Sequence, residues 1–214
     1  MQLIQTSVKH YVEAQHSKQM TYEESIGALM TRIKRIERES EDLRLGLVNE
    51  QLKSHQDTLT GLPNRLAYQE RSRLEFLRAR RQKTDLTLAI IDLDFFKIIN
   101  DNYGHKVGDK VLRHSAQLCL RRARKTDLLA RFGGDEFVAL FPDTSAAGAR
   151  HICEDLRCLV EQAAFQCQSR WVPVSVSIGV AGLQPGETLS ALFERADAAL
   201  YTAKRRGRNR VQGP

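Results

Sequence analysis

Asp92 and Asp94 in "LTLAIIDLD" and Asp135 and Glu136 in "RFGGDEFVALF" are the side chains best placed to do chemistry in this sequence. Residues two apart in extended chain project to one side, so the two aspartates share a face at the end of an apolar run. A charged carboxylate there is costly without a cation. Both have a second reading, as caps on the strand or the start of the next helix. The other pair sits in the tip Gly133-Gly134-Asp135-Glu136, between Phe132 and the run from Phe137 to Phe141, both of which read as strand. Two readings of the tip stand. It is a polar hairpin turn, for which Gly and Asp are ordinary residues, or its missing side chains admit a ligand while its acids hold metal. If the Asp92 strand pairs with this hairpin, three or four hard oxygen ligands converge, which suits Mg²⁺ or Mn²⁺ rather than zinc. Carboxylates from two strands around magnesium point to phosphoryl transfer.

Elements able to position these acids are legible around them. "LTLAIIDLD" is almost continuously apolar and reads as a central strand buried on both faces. "LPNRLAYQERSRLEFLRARR" reads as a helix with Pro63 in its first turn and Leu66, Tyr68, Leu74 and Leu77 among charges. The segment after Asp94 reads as a loop, followed by an amphipathic helix in "VLRHSAQLCLRRARK". Beyond the hairpin come a helix from Ala146 to Ala163, a strand in "VPVSVSIGVAGL" and a last helix in "LSALFERADAALYTAKRR". This mixture predicts an α+β fold, a central sheet covered by helices.

Composition bounds the function classes. With 42% hydrophobic residues among 214, the chain can bury a real core. Lys and Arg outnumber Asp and Glu by 33 to 26, a formal charge of +7, which suits an anionic partner: a nucleotide, a nucleic acid or an acidic membrane surface. The four cysteines form no C-x-x-C pair and no signal-peptide pattern opens the chain, so reduced thiols and a cytoplasmic location are expected. No apolar run approaches the roughly 20 residues that span a bilayer.

The character of the chain changes near Ser54. Tyr22, Ile26, Leu29, Ile33, Ile36, Leu43 and Leu47 recur in steps of four and three, with Ser40 in the vacant slot and charges between. This is a heptad stripe, which fits either a self-associating coiled coil or one amphipathic helix packed on its own domain. The domains expected are 1–54, an N-terminal helix with a dimerising coil, and 55–214.

Four motifs in order, "DTLTGLPNR", "DLDFFKIINDNYGHKVGDKVL", "RFGGDEF" and "ADAALYTAKRRGRNRV", resemble the GGDEF-domain diguanylate cyclase family over about three quarters of the chain. The resemblance implies a nucleotide-cyclase-like palm that condenses two GTP into cyclic di-GMP and two pyrophosphates, in the bacterial cytosol or as the cytoplasmic portion of a larger sensor. It implies metal binding by Asp92, the Leu93 carbonyl, Asp135 and Glu136, with Asp135 also as the base, Glu136 in metal binding or essential support of catalysis, and Lys97 neutralising phosphate charge. Asn100 and Asp109 correspond to guanine readers and His105 to a substrate contact. The amides near Phe95 and Phe96 would receive phosphate, their rings being read as packing groups. Lys204 and Arg208 match phosphate-holding cations. Arg124 and Asp127 match an inhibitory site for the product, with Arg150 or Arg157 as a second arginine. The partners implied are GTP, cyclic di-GMP and a second copy of the chain through the coil. The alternative is a receptor or scaffold that binds GTP or cyclic di-GMP without turnover. No nucleic acid is expected, since "KRRGRNR" has no recognised DNA-binding motif beside it.

Overall fold

The computed structural model describes residues 20, 29–44, 54–163, 165–167 and 170–214. The chain divides into two compact units, Met1–Ser54 and His55–Pro214. In the first, residues 29–44 form a helix, α1, exposed along its whole length. The stripe residues Leu29, Ile33, Ile36 and Leu43 are each more than half exposed. Tyr22, Ile26 and Leu47 lie outside the described residues.

The second unit runs α2 (Arg65–Gln82), β1 (Leu86–Leu93), α3 (Phe96–Tyr103), α4 (His105–Leu120), β2 (Leu128–Gly133), β3 (Glu136–Pro142), α5 (Ala146–Gln162), β4 (Gln166–Cys167), β5 (Arg170–Trp171), β6 (Val176–Gly182), α6 (Leu189–Arg205) and β7 (Val211–Gln212). Five strands make one sheet in the order β2-β3-β1-β6-β7, and β4 and β5 pair separately. β1 is central, antiparallel to both β3 and β6, and every residue in it is buried. Its side chains alternate between two cores. Ala89, Ile91 and Leu93 pack in the cluster that contains residues of α3, α4 and α5. Leu88 and Ile90 pack with residues of α2 and α6. Each such fully buried Leu or Ile side chain contributes roughly 1.5–3 kcal/mol. The same alternation gives Asp92 the parity of the α6 side. On that side α6 lies hard against β6, because Gly179 has no side chain: a Cβ there would run into the backbone of Ala196 and Leu200.

Two local readings need correction. Pro63 lies outside α2, which begins at Arg65 with Asn64 as its N-cap, the Asn64 Oδ1 accepting from the Ala67 amide at 3.1 Å. Pro63 instead bridges Gln56, and its carbonyl accepts from the Arg131 amide. Of the four apolar residues marked in this helix only Tyr68 is buried. Leu66, Leu74 and Leu77 face solvent, while Ser72, Glu75, Phe76 and Ala79 complete the covered face. The segment after Asp94 is also not a loop. It is α3 and α4, broken at Gly104, where φ is 83°. Its Asn, Gly and Asp content resembles turn chemistry, yet Ile99, Val111 and Leu112 anchor both helices in the core. No helix among the described residues is long and apolar enough to cross a membrane.

Candidate active site

The Asp92 strand does pair with the glycine-tipped hairpin. Asp92 lies directly across from Glu136, and the Leu93 amide donates to the Asp135 carbonyl at 3.3 Å. Gly134, with φ of 53°, and Asp135 form the turn itself. The Asp92 carboxylate is buried and takes its charge partner from α6, Lys204 Nζ at 2.8 Å from Oδ2. Burial pushes the Asp92 carboxyl up to about 6. Lys204 pulls it down, and the charges of Asp135 and Glu136 add to the rise. Among the described residues no three acidic, His or Cys side chains are already gathered as a metal site. The donors nonetheless fit a hard divalent cation. Asp92, Asp135 and Glu136 offer oxygens only, their mutual repulsion favours added positive charge, and magnesium ordinarily takes few protein ligands and completes its shell with phosphate and water.

A second cluster forms where α3 meets α4. Asn100 on α3 has a buried Oδ1 with no hydrogen-bond partner, a costly arrangement for an amide oxygen. It fits because residue 108 is glycine: a Cβ there would fall on that Oδ1. Asp109 follows Gly108 on α4 and is half-buried, whereas His105, at the start of α4, is exposed. Both belong to a helix rather than to the expected loop. Lys97 is exposed in the first turn of α3, whose N-terminus has no side-chain cap, leaving amides for an anion. Phe96 packs against the core as expected. Phe95 does not. It has φ of 57°, is 55% exposed, and carries the Arg208 guanidinium 4.5 Å above its ring.

Three sets of residues hold this arrangement through contacts that sequence reasoning did not foresee. Arg131 donates through Nη1 to both oxygens of Asp57 at 3.1 Å, and through Nε and Nη2 to the Gly134 carbonyl at 3.0 and 2.7 Å. Asp57 also accepts from the Thr60 amide and hydroxyl. Burial alone would raise the Asp57 carboxyl, but the Thr60 and Arg131 bonds outweigh it and hold it below its ordinary 3.8. Asp94, read above as a possible cap, accepts from Ser175, Ser177 and the Asn209 amide. Arg157 bonds Glu154, Glu161 and Asn209, so its fork is already committed, whereas Arg150 is exposed. Asp57, Asp94, Arg131 and Asn209 lie inside the quoted motifs, whereas Glu154, Arg157 and Glu161 lie outside them.

Arg124 and Asp127 close the turn between α4 and β2, the Asp127 Oδ2 accepting from the Arg124 amide at 2.8 Å. They stand at the opposite end of β2 from the glycine tip, with the Arg124 side chain exposed. A cavity of about 530 Å³ lies beside Asp94, Phe95 and Asn209, and neither Asn100 nor Asp109 lines it. A shallower one of about 420 Å³ borders Arg65, Arg131, Gly133 and Gly134.

A five-stranded sheet packed with helices, whose buried central strand meets a glycine-tipped acidic hairpin, defines the class as an α+β domain of the GGDEF type. Residues 54–210 match the family described as diguanylate cyclase, GGDEF domain. The diguanylate cyclase DgcP of Pseudomonas aeruginosa is 40% identical over 200 residues, 94% of this chain and 30% of that protein. The response regulator PleD of Caulobacter vibrioides is 41% identical over 160 residues, 73% of this chain and 35% of that one. The solved coiled coil and GGDEF domain of DgcB from Caulobacter crescentus, in complex with c-di-GMP, aligns with a TM-score of 0.83 at 35% identity, covering 87% of this chain and 99% of that one. The chain belongs to the GGDEF-domain diguanylate cyclase family. It spans about a third of the length of the curated relatives it matches.

Proposed function

We propose that the chain condenses two GTP molecules into cyclic di-GMP, releasing two pyrophosphates, as a pair of facing domains. The observation that carries this reading is the pairing of buried Asp92 with Glu136 beside a side-chain-free tip, with Lys204 on the Asp92 carboxylate. Each domain holds one GTP. The unpartnered Asn100 Oδ1 accepts from the guanine exocyclic amine, and Asp109 accepts from the same edge. The α3 amides with Lys97, Lys204 and Arg208 hold the triphosphate. The 3′-hydroxyl of the GTP in one domain attacks the α-phosphorus of the other. Its proton passes to Asp135 or Glu136, the new O–P bond forms, and the bond to pyrophosphate breaks. The same exchange in the opposite sense closes the ring. Magnesium or manganese bound by Asp92, the Leu93 carbonyl, Asp135 and Glu136 would supply charge neutralisation at the α-phosphate. The proposed use of GTP supports a cytoplasmic location.

Dimerisation through the heptad stripe is supported by the exposed Leu29, Ile33, Ile36 and Leu43, and by the coil that the DgcB structure includes. Product inhibition through Arg124 and Asp127 is supported by their exposed turn away from the tip. The test is turnover of GTP with Mg²⁺ by the full chain, read by product chromatography. Cyclic di-GMP forms in wild type and is lost in Asp135→Ala and Glu136→Ala, both of which remain folded. Nucleotide binding without product at high protein concentration would instead establish the receptor reading.

A further inference from the structure

Arg208 sits in a backbone conformation it would not choose alone. Gly207, Arg208 and Asn209 have φ of 108°, 60° and 46°, and successive left-handed residues are disfavoured unless the surroundings hold them. The surroundings do so here. The Arg208 amide donates to the Ala203 carbonyl at 3.1 Å. The Asn209 amide donates to Asp94 Oδ2 at 3.0 Å. The Asn209 side chain accepts from Arg157 at 2.8 Å and donates to Glu161 at 2.6 Å. Asp94 itself is 4% exposed, and its three donors, the Ser175 and Ser177 hydroxyls and the Asn209 amide, are all neutral. Buried charge is not retained cheaply on such terms. What the carboxylate gains is a fixed geometry: it immediately precedes Phe95 and holds the residue that follows Arg208, so both members of the Arg208–Phe95 stack are placed from one anchor.

We infer that Asp94 is a positioning residue for the triphosphate of GTP, acting through Arg208. It touches no substrate atom. Its carboxylate accepts from the Asn209 amide and so keeps the guanidinium over Phe95, aimed and partly immobilised before substrate arrives. Asp94→Asn keeps the shape but turns one acceptor into a donor facing donors, which releases the loop. The inference rests on the phosphate role given to Arg208 above, and the experiment separates the two.

Calorimetric titration of the full chain with 3′-deoxy-GTP and Mg²⁺, a substrate that lacks the attacking hydroxyl, reads binding without turnover. Arg208→Ala and Asp94→Asn each weaken binding about tenfold, the order expected for one charge-assisted contact. Asp94→Asn adds less than about twofold in the Arg208→Ala background, because residues that act through one another are not additive. Wild-type affinity in Arg208→Ala overturns the phosphate reading and this inference with it. Impaired Arg208→Ala with wild-type affinity in Asp94→Asn, or full additivity of the two, overturns this inference alone. If Asp94→Asn fails to fold, Ser177→Ala carries the same cycle, because it removes the hydroxyl that holds the other oxygen of the Asp94 carboxylate. It weakens binding only where Arg208 is present, and wild-type affinity in it refutes the idea.

Discussion

Arg131→Ala removes a side chain that joins the opening motif to the glycine-tipped hairpin. The guanidinium is 15% exposed and its Asp57 partner 20%. The substitution deletes the contacts to both Asp57 oxygens and the two bonds to the Gly134 carbonyl. Charge-assisted bonds are worth about 1.5–3 kcal/mol each, but these share donors and acceptors and remain partly wetted, so a net loss of about 3 kcal/mol is expected. For a domain of this size that lowers the melting midpoint by roughly 6–12 °C. Arg131→Lys keeps the charge but not the planar fork, and recovers about a third of the loss. The measurement is thermal unfolding by circular dichroism at neutral pH. A midpoint within about 1 °C of wild type in Arg131→Ala, or a Lys variant indistinguishable from Arg, refutes the reasoning.

Acid titration gives the same clamp a signed test. The folded Asp57 carboxyl lies below its ordinary 3.8, so between the two values the unfolded chain binds the proton more readily and stability rises with pH. The contribution is complete above the ordinary value and disappears as pH falls through the folded one. Arg131→Ala keeps the two Thr60 donors and loses only the Arg131 part. The gap in midpoint between wild type and variant is therefore wide at neutral pH and narrows at pH values below about 4. A gap that does not change with pH contradicts the assignment.

Gly108→Ala drives a methyl group onto the Asn100 Oδ1 and raises KM for GTP about tenfold, the value of one base-reading bond, with little change in kcat; an unchanged KM in steady-state turnover counts against Asn100 as a reader. Leu29→Glu combined with Ile36→Glu places charge in the heptad seam, at a cost of several kcal/mol, and sedimentation returns a monomer; a persisting dimer defeats the coil. Arg124→Ala leaves the turn intact, because Asp127 is bonded to the backbone amide, and abolishes slowing of progress curves by added cyclic di-GMP; equal slowing in wild type and variant removes the inhibitory site.

What could be read in advance follows from the range of the interactions. β1 was legible because a strand buried on both faces is apolar at every position, and the hairpin because glycines interrupt aromatic strands. The α3–α4 break was not, since the few apolar anchors lie among residues typical of turns. In the site, Asp92 and the tip acids attract attention by spacing alone. Asn100, Asp109, Lys204 and Arg208 carry no local pattern and came only with the family resemblance. The supporting contacts were invisible for a stronger reason. Arg131 reaches Asp57 across 74 positions, Asn209 reaches Arg157 across 52 and Asp94 across 115. No window of sequence contains both partners, and only the folded sheet brings them together.

These long-range contacts share a logic. The tip is fixed through Arg131 on the Gly134 carbonyl, and the cationic arm through Asn209 on Asp94. Lys204 is pinned to Asp92 between them. A site held on three sides by such bonds has little freedom left to regulate by rearranging its own groups, and such preorganisation is what electrostatic stabilisation of a transition state requires. Under the proposed function each domain carries one nucleotide and lacks the second reactant altogether. The slow and controllable variable is then the encounter of two domains, whose effective concentration depends on how they are tethered. Under that proposal the heptad stripe and the arginine turn remote from the tip would be the natural places for opposing control: one would raise the frequency of productive encounters, and the other, on binding product, would lower it without touching a side chain of the site.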